Sequence, residues 1–468
     1  MSRRRPTVFA IGSTPDLWLP DKMFFFTSNA GRIYLPRLGS PGRTQNSFHV
    51  HKHDSAIAVL RNSPFTSYQQ SEDRLVIVRQ RPSDEAPICV FEWRFEDGSL
   101  SITRRWSGEF SIFVVEDPEL LIFSHLRFAL LVCNEVPSRA KSIPPGSAWT
   151  YSLSRRPYSP GRAGKISFNA PYRKTYSETL NIVRSRIIES VRRLPDSSAL
   201  LLSGGLDSSI LAAVAHDLGK PLPAFVFAAR QPIKRQPDEE SDLVCARLVA
   251  AHLKLPLREI LIERKRVIQN VPLAILLAET PRGTIIDPCT ALIEVAQTLS
   301  RAGFSSVVMG EAADDLFGSF TFALRYKRGQ GLRKYYRAEL DVGLPDEKAI
   351  VQRVFEAWGI SVIDPYWTRE LKAIGYNIPL SFRLDPKRLM KRILRDGFQD
   401  LLPPEIIRRP KIVTRNGSEI RYALESHFGQ SRDRYRPLFH RIFRSGATWP
   451  ENLYHLRRLN SWRSLRKP

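Results

Sequence analysis

Cysteine is scarce in this chain of 468 residues. Cys89, Cys133, Cys245 and Cys289 are the only four, and no two form a Cys-x-x-Cys pair. They read as reduced, structural thiols of a cytoplasmic protein rather than a disulfide framework. Long apolar runs are missing too: none approaches the roughly 18 residues of a membrane span. Three arginines stand near the N-terminus, but Thr7 to Leu19 is broken by Gly12, Pro15 and Asp16 and has no signal-peptide core. Internal repeats and long low-complexity tracts are also absent. Acidic residues are in the minority, 47 against 71 Lys and Arg, for a net charge of +24. Such a charge suits nucleic acid, an anionic membrane surface or an acidic substrate. Because the basic residues are spread over the whole chain, it equally suits the compositional habit of an Arg-rich organism. The length implies two or three domains, and 43% hydrophobic residues supply material for sizeable cores.

What is present is organised around Ala199 to Ser209. Ala199–Leu202 is a short apolar run, as in a central parallel strand. Gly204 and Gly205 permit a sharp turn and a close ligand approach. Asp207, Ser208 and Ser209 fall where an N-cap and first helical turn belong, and Ile210, Leu211, Val214 and Leu218 continue at helical spacing. A helix N-terminus behind a glycine turn with two hydroxyls makes a cradle for a phosphate. An acid inside that cradle, Asp207, implies a bridging cation, Mg²⁺. An ordinary strand-to-helix turn with an Asp cap is the plainer alternative.

The string Ser203-Gly204-Gly205-Leu206-Asp207-Ser208-Ser209 resembles the pyrophosphate-binding loop of AMP-forming ATP pyrophosphatases. That group contains asparagine synthetase, β-lactam synthetase, lasso peptide cyclases, GMP synthetase and lysidine synthetase. The resemblance implies ATP as cosubstrate, cleavage between its α and β phosphates, and nucleotide contacts from all seven residues.

Residues 1–165 are rich in short alternating segments: Leu75–Val78, Ile88–Phe95, Glu109–Val115 and Leu120–Phe123 read as strands separated by turn signals. Gly108–Val115 and Ile143–Gly146 resemble parts of the glutaminase domain of asparagine synthetase, an N-terminal-nucleophile fold. That glutaminase needs a cysteine at position 2. Here Ser2 stands there, so the region reads as a β-rich degenerate relative. His49, His51 and His53 alternate and would share one strand face, either as metal ligands or as the polar face of an edge strand.

Tyr151–Ala170 reads as a linker into residues 166–468. Thr179–Leu194 reads as a basic amphipathic helix with Ile182, Val183, Ile187 and Val191 on one side. Ala224–Ala228 reads as a second buried strand and Leu257–Ile262 as a third strand, around a helix over Glu239–Leu253. Strands alternating with helices indicate an α/β, doubly wound parallel sheet, with ligands at the C-terminal strand ends.

Val307 to Ser319 is a further strand running into an acidic turn. Its carboxylates fall at the same sheet edge as Asp207, where two loops can share Mg²⁺. The string resembles the Gly-Glu-Gly-Ala-Asp-Glu-Leu-Phe-Gly-Gly motif of the asparagine synthetase family, with Ala312 for Gly and Asp315 for Glu. By that resemblance Asp314 is the second metal carboxylate, Glu311 faces the substrate and Gly310 lies by the nucleotide. Asp385–Leu402 reads as a helix with its Lys and Arg outward. Lys391–Arg395 and Leu402–Lys411 resemble the family's C-terminal signature, which makes Lys411 the catalytic lysine, and Ala357–Gly359 and Asp364–Tyr366 match its preceding landmarks. A fixed ammonium there would neutralise charge growing on pyrophosphate or on a tetrahedral intermediate. Leu453 to Leu465 suggests a final helix.

The resemblance implies an ATP-dependent carbon–nitrogen ligase. A carboxylate attacks the α phosphate of Mg·ATP, and an amine displaces AMP from the acyl-adenylate. Glutaminase deficiency implies an amine already present in the substrate, as in lasso peptide cyclases and β-lactam synthetases. The β-lactam branch has Tyr where this chain has Glu311. Asp287 falls near the position of a family Arg that holds the substrate aspartate, and an acid there would repel an amino-acid carboxylate. Macrolactam closure of a precursor peptide is therefore the expected reaction, with a leader-peptide-binding protein and a protease as expected partners. Asparagine synthetase, a small-molecule lactam synthetase, an RNA-modifying pyrophosphatase and a non-catalytic scaffold are the alternatives. The second and third motifs weigh against nucleic acid.

Overall fold

The computed structural model describes residues 24–27, 48–53, 56–61, 66–79, 87, 89–108, 110–116, 120–123, 140–155, 158–161, 167–230, 241–318, 334, 337–384, 390–431 and 433–443. Up to Tyr68, and at Arg79 and Phe123, only the backbone is described. Ser2, Cys133 and the Leu453–Leu465 helix lie outside these residues. Phe48–His53 is a strand, but the side chains of its three histidines are likewise outside.

Two antiparallel sheets form the first third. One has six strands in the order Lys141–Ser142, Phe113–Val115, Leu121–Phe123, Phe24–Thr27, Ala56–Arg61, Phe48–His53. The other has five: Ala148–Ser152, Ser99–Arg104, Cys89–Arg94, Arg74–Arg79, Thr66–Gln70. Alternation explains the second sheet, since Cys89, Phe91 and Trp93 point inward while Val90, Glu92 and Arg94 do not. Two expectations shift. Among the described residues, strand structure over Glu109–Val115 is confined to Phe113–Val115, after a turn in which Gly108 adopts φ +67°. The expected linker begins later than Tyr151, which is buried in a strand, and Gly161 still bridges to Thr150.

The remainder is α/β. Five parallel strands run Leu257–Ile262, Ala224–Ala229, Ser198–Leu201, Ser306–Val308, Ser361–Ile363 across the sheet. Chain order reverses between Ser198–Leu201 and Ser306–Val308, and the crevice outside such a switch point is where doubly wound sheets bind ligands. Ser198–Leu201 and Ala224–Ala229 are buried at every position, as strands covered on both faces must be.

Helix Tyr176–Arg192 starts three residues before the expected Thr179, because Thr175 and Glu178 make a reciprocal capping box. It buries Val183, Ile187 and Val191, with Ile182 only half-buried. Of the expected Asp385–Leu402 helix, the described residues 390–402 are helical over Arg392–Phe398, and 385–389 lie outside the described residues. Among the described residues no helix is long and apolar enough to cross a membrane.

The antiparallel and parallel parts share a core. Phe113, Val115, Leu121 and Ala140 pack in one cluster with helix Val271–Ala278 and with Ile350, Val354 and Phe355 of helix Leu344–Glu356. Polar contacts cross the same joint. Arg104 approaches Asp346 at 3.6 Å, and Arg353 donates to Ser111 Oγ and to the Leu277 and Ala278 carbonyls. Trp367 donates to the Ser107 carbonyl at 3.0 Å. The Lys372 ammonium lies 4.8–5.4 Å from the ring centres of Phe168, Trp367 and Trp106.

Candidate active site

Ser198–Leu201 ends in the Ser203–Ser209 loop, and its residues divide by role. Gly204 adopts φ +65°, and a Cβ there would lie 2.2 Å from the Cys245 carbonyl carbon and 2.4 Å from the Ala246 nitrogen. Gly204 therefore serves close packing against helix Asp242–His252 and does not line the cavity. Gly205, rather than Asp207, is the N-cap of helix Leu206–Asp217, and no side chain caps it. The first-turn N–H groups thus keep their affinity for an anion. The hydroxyls brace the loop: Ser203 N–H donates to Ser208 Oγ at 3.1 Å, and Ser208 Oγ donates to the Gly205 carbonyl at 3.3 Å. Ser209 is fully buried behind the loop, its Oγ without a hydrogen-bond partner.

The second loop follows Ser306–Val308 and enters helix Ala312–Phe317. Asp364 sets its position, accepting from the Ala312 N–H at 2.8 Å and from Lys348 Nζ at 2.9 Å. Gly310 lets the two loops meet, since a Cβ there would sit 3.2 Å from both Asp207 Cβ and Tyr366 Cε2. Tyr366 donates to the Asp207 carbonyl at 2.9 Å, which locks the loops at the switch point.

Two lysines bind the carboxylates that these loops present. Lys391 Nζ is 2.5 Å from Asp207 Oδ2 and also contacts Asp314 Oδ1. Lys411 Nζ is 2.7 Å from Asp314 Oδ2 and 3.8 Å from Asp207 Oδ2. Burial alone would raise the Asp314 carboxyl, but the two ammoniums beside it hold it down at about 2. Burial alone would lower the Lys411 ammonium, and Asp314 and Asp207 raise it instead. Glu311, on the same wall, is pushed up to about 7 by burial, with Lys348 opposing and Asp364 adding to the rise.

A cavity of about 600 Å³ opens over this cluster. Of the expected site residues, Ser203, Gly205, Leu206, Asp207, Ser208, Gly310, Glu311, Asp314 and Lys411 line it, whereas Gly204 and Ser209 do not. The residue types fit a nucleotide phosphate with its metal. Asp207 Oδ1 is buried beside the loop with no hydrogen-bond partner, as a ligand oxygen awaiting a cation would be. Among the described residues no group of three or more His, Cys, Asp or Glu is placed to hold a metal, so Asp207 and Asp314 would bind a cation together with phosphate oxygens.

Three basic residues were not singled out by sequence. Lys391, expected outward, is buried at left-handed φ +63° before helix Arg392–Phe398, which turns its side chain inward. Arg409 donates to the Ser203 carbonyl at 3.3 Å and to Asp242 Oδ1 at 3.2 Å, fixing the phosphate loop from behind. Arg395 donates to the carbonyls of Met390, Ile407 and Arg409, which sets the strand of chain carrying Lys411. Only membership of the C-terminal signature hinted at Lys391 and Arg409. Asp287 also departs from expectation. It is fully buried, does not line the cavity, and its charge is consumed by Arg434 and by the Tyr435 hydroxyl.

The chain is similar to known synthetases. It is 28% identical over 238 residues to asparagine synthetase [glutamine-hydrolyzing] of Gallus gallus, covering 49% of this chain and 40% of that one. It is 27% identical over 276 residues to carboxyethyl-arginine beta-lactam-synthase of Streptomyces clavuligerus, covering 58% and 47%. Against asparagine synthetase B of Escherichia coli (strain K12) it is 23% identical over 316 residues, covering 63% and 54%. The chain thus spans about half the length of the curated relatives it matches. The family model for asparagine synthase matches residues 183–353 and 331–441, together more than half of the chain. With the Asp207–Asp314 loops and the Lys411 segment all inside that match, the chain belongs to the asparagine synthase family.

Proposed function

We propose that this protein is an ATP-dependent carbon–nitrogen ligase that forms an amide through an acyl-adenylate and releases AMP and pyrophosphate. The observation that carries the proposal is the convergence of Asp207, Asp314, Lys391 and Lys411 in one cavity at the switch point of the parallel sheet. The uncapped helix start at Gly205 receives phosphate oxygens. Asp207 and Asp314 would hold Mg²⁺, which would supply charge screening for the phosphates. Lys411 and Lys391 neutralise negative charge as it develops. Glu311, its carboxyl pushed up to about 7 by burial, accepts a proton from the attacking amine.

The acceptor is drawn from the same reading. The segments Gly108–Val115 and Ile143–Gly146 support a glutaminase-like first domain, residues 1–165, ahead of a synthetase domain over 166–468, and the lack of visible glutamine-holding motifs in it supports a domain that makes no ammonia. The amine then belongs to the substrate, and macrolactam closure of a precursor peptide follows, with a leader-binding protein and a protease as partners in the cytoplasm. The +24 charge favours a second reading, an RNA substrate. The test measures AMP and pyrophosphate from Mg·ATP with wild type and Asp207→Ala. Three substrates are compared: a Gly-initiated peptide with an internal Asp or Glu, free aspartate with ammonium, and bulk tRNA. Turnover with the peptide alone, abolished in the variant, is the expected result. Turnover with aspartate or tRNA would replace the acceptor named here.

A further inference from the structure

Beyond the phosphate cluster the cavity wall is largely apolar, with Ile285, Pro288 and Leu292 from helix Gly283–Arg301 and Ile350 and Val351 from helix Leu344–Glu356. One cation is set into this wall. Arg415 lines the cavity from the short helix Thr414–Gly417, four residues after Lys411, with its side chain 25% exposed. Its neighbour Asp287 pairs with it in charge but takes no hydrogen bond from it. Both Asp287 oxygens accept from Arg434 Nη2, at 2.7 and 2.6 Å, and Oδ1 also accepts from the Tyr435 hydroxyl at 2.9 Å. Arg415 Nη1 stops 3.6 Å from Asp287 Oδ2, beyond a hydrogen bond. No described group accepts a hydrogen bond from Arg415. Burial and the Arg421 and Arg434 charges press against its own charge and outweigh the support of Asp287 and Glu425, so its pKa is lowered.

A partly buried guanidinium that has one ion pair, to Asp287, and no described hydrogen-bond acceptor keeps its donors for a ligand at the cavity wall. We infer that Arg415 is a specificity residue that anchors a carboxylate of the acyl substrate against this apolar wall. The planar fork of donors matches a carboxylate in two parallel hydrogen bonds. The apolar surroundings favour an organic acid over free phosphate, which has its own cations at Lys391 and Lys411. The inference rests on the ligase reading for calling this wall the acyl side. It reverses the expectation drawn from Asp287: the wall offers a positive charge, not a negative one, to an incoming acid.

The test is a binding titration on the full chain that needs no turnover. Hexanoate, hexanamide and inorganic phosphate are titrated against wild type, Arg415→Gln and Arg415→Lys by ligand-observed NMR. Wild type is expected to bind hexanoate about tenfold more tightly than hexanamide. Arg415→Gln removes that preference, and Arg415→Lys keeps the charge but weakens hexanoate several-fold through loss of the fork. The inference is overturned by equal hexanoate affinity in wild type and Arg415→Gln, by no preference over hexanamide in wild type, or by a variant effect confined to phosphate. ATP titrated into the same samples separates the two readings. Failure to bind ATP would sink the nucleotide site while the hexanoate comparison still decides the anchor. Should Arg415→Gln unfold, Arg415→Lys against wild type carries the comparison alone.

Discussion

Lys391 neutralises two carboxylates that face each other across the switch point, and it does so from a buried position. Removing it leaves Asp207 and Asp314 to repel each other with only Lys411 between them. Lys391→Met is expected to cost about 3–5 kcal/mol, the range for breaking a buried ion pair by deleting one partner, measured by urea unfolding. The same cluster sets an acid limit. Asp314 has a folded pKa of about 2 against an ordinary value of 3.8, so the unfolded chain binds the extra proton as the pH drops between them. Its contribution is present above pH 4 and lost as pH falls through about 2. Asp314→Asn should flatten that part of the acid-denaturation curve. Glu311 has the opposite sign. Its carboxyl is raised to about 7, so a step using the carboxylate speeds up as pH rises through 7, and Glu311→Gln should abolish that limb of the pH–rate profile. The acids were legible because carboxylates are sparse and lie in two distinctive strings. Of the cations only Lys411 was, through the C-terminal signature. Among 71 Lys and Arg, nothing local distinguishes Lys391, Arg409 or Arg415, whose roles come from contacts made across the fold.

The two loops work because glycine allows them to close on their neighbours. Gly204 meets the backbone of helix Asp242–His252 at positive φ, where any side chain both strains the turn and collides. Gly204→Ala is expected to destabilise by at least about 2 kcal/mol, visible as a lowered unfolding midpoint. Gly310 is a milder case, with a 3.2 Å contact to Asp207. Gly310→Ala should leave the fold standing and push the loops apart by tenths of an ångström, with AMP release reduced on the order of 100-fold. Both glycines were visible in sequence as ligand-approach positions. Gly204 spends its freedom on the neighbouring helix instead, because the approach that matters there is between two segments of protein. Buried strands such as Ala224–Ala229 were easy to read, as apolar runs covered on both faces. Ser361–Ile363 was not read as a strand. At three residues it carries no period, and its place at the sheet edge is set by pairing with Ser306–Val308.

Helix Leu344–Glu356 serves two masters, giving Leu344, Glu347, Ile350 and Val351 to the cavity and Asp346 and Arg353 to the joint with the antiparallel sheets. Arg104 holds Asp346 while donating to the Ile143 and Gly108 carbonyls, and Gly108 is packed so tightly that a Cβ would fall 2.2 Å from Pro345. The described parts are therefore expected to unfold in one calorimetric transition. Arg104→Met should lower that single transition by about 3–5 kcal/mol rather than split it in two. This joint was illegible beforehand, since its members lie more than 200 residues apart, and the segments Gly108–Val115 and Ile143–Gly146 pointed to a domain without showing what they pack against. A helix shared in this way constrains what mutation and selection can do. The first third can lose any chemistry of its own and still be held to its outline, because changing Arg104, Gly108 or Ser111 perturbs the substrate wall from behind. Selections for altered substrate range should therefore recover compensating changes in that strip, far from every residue the substrate touches.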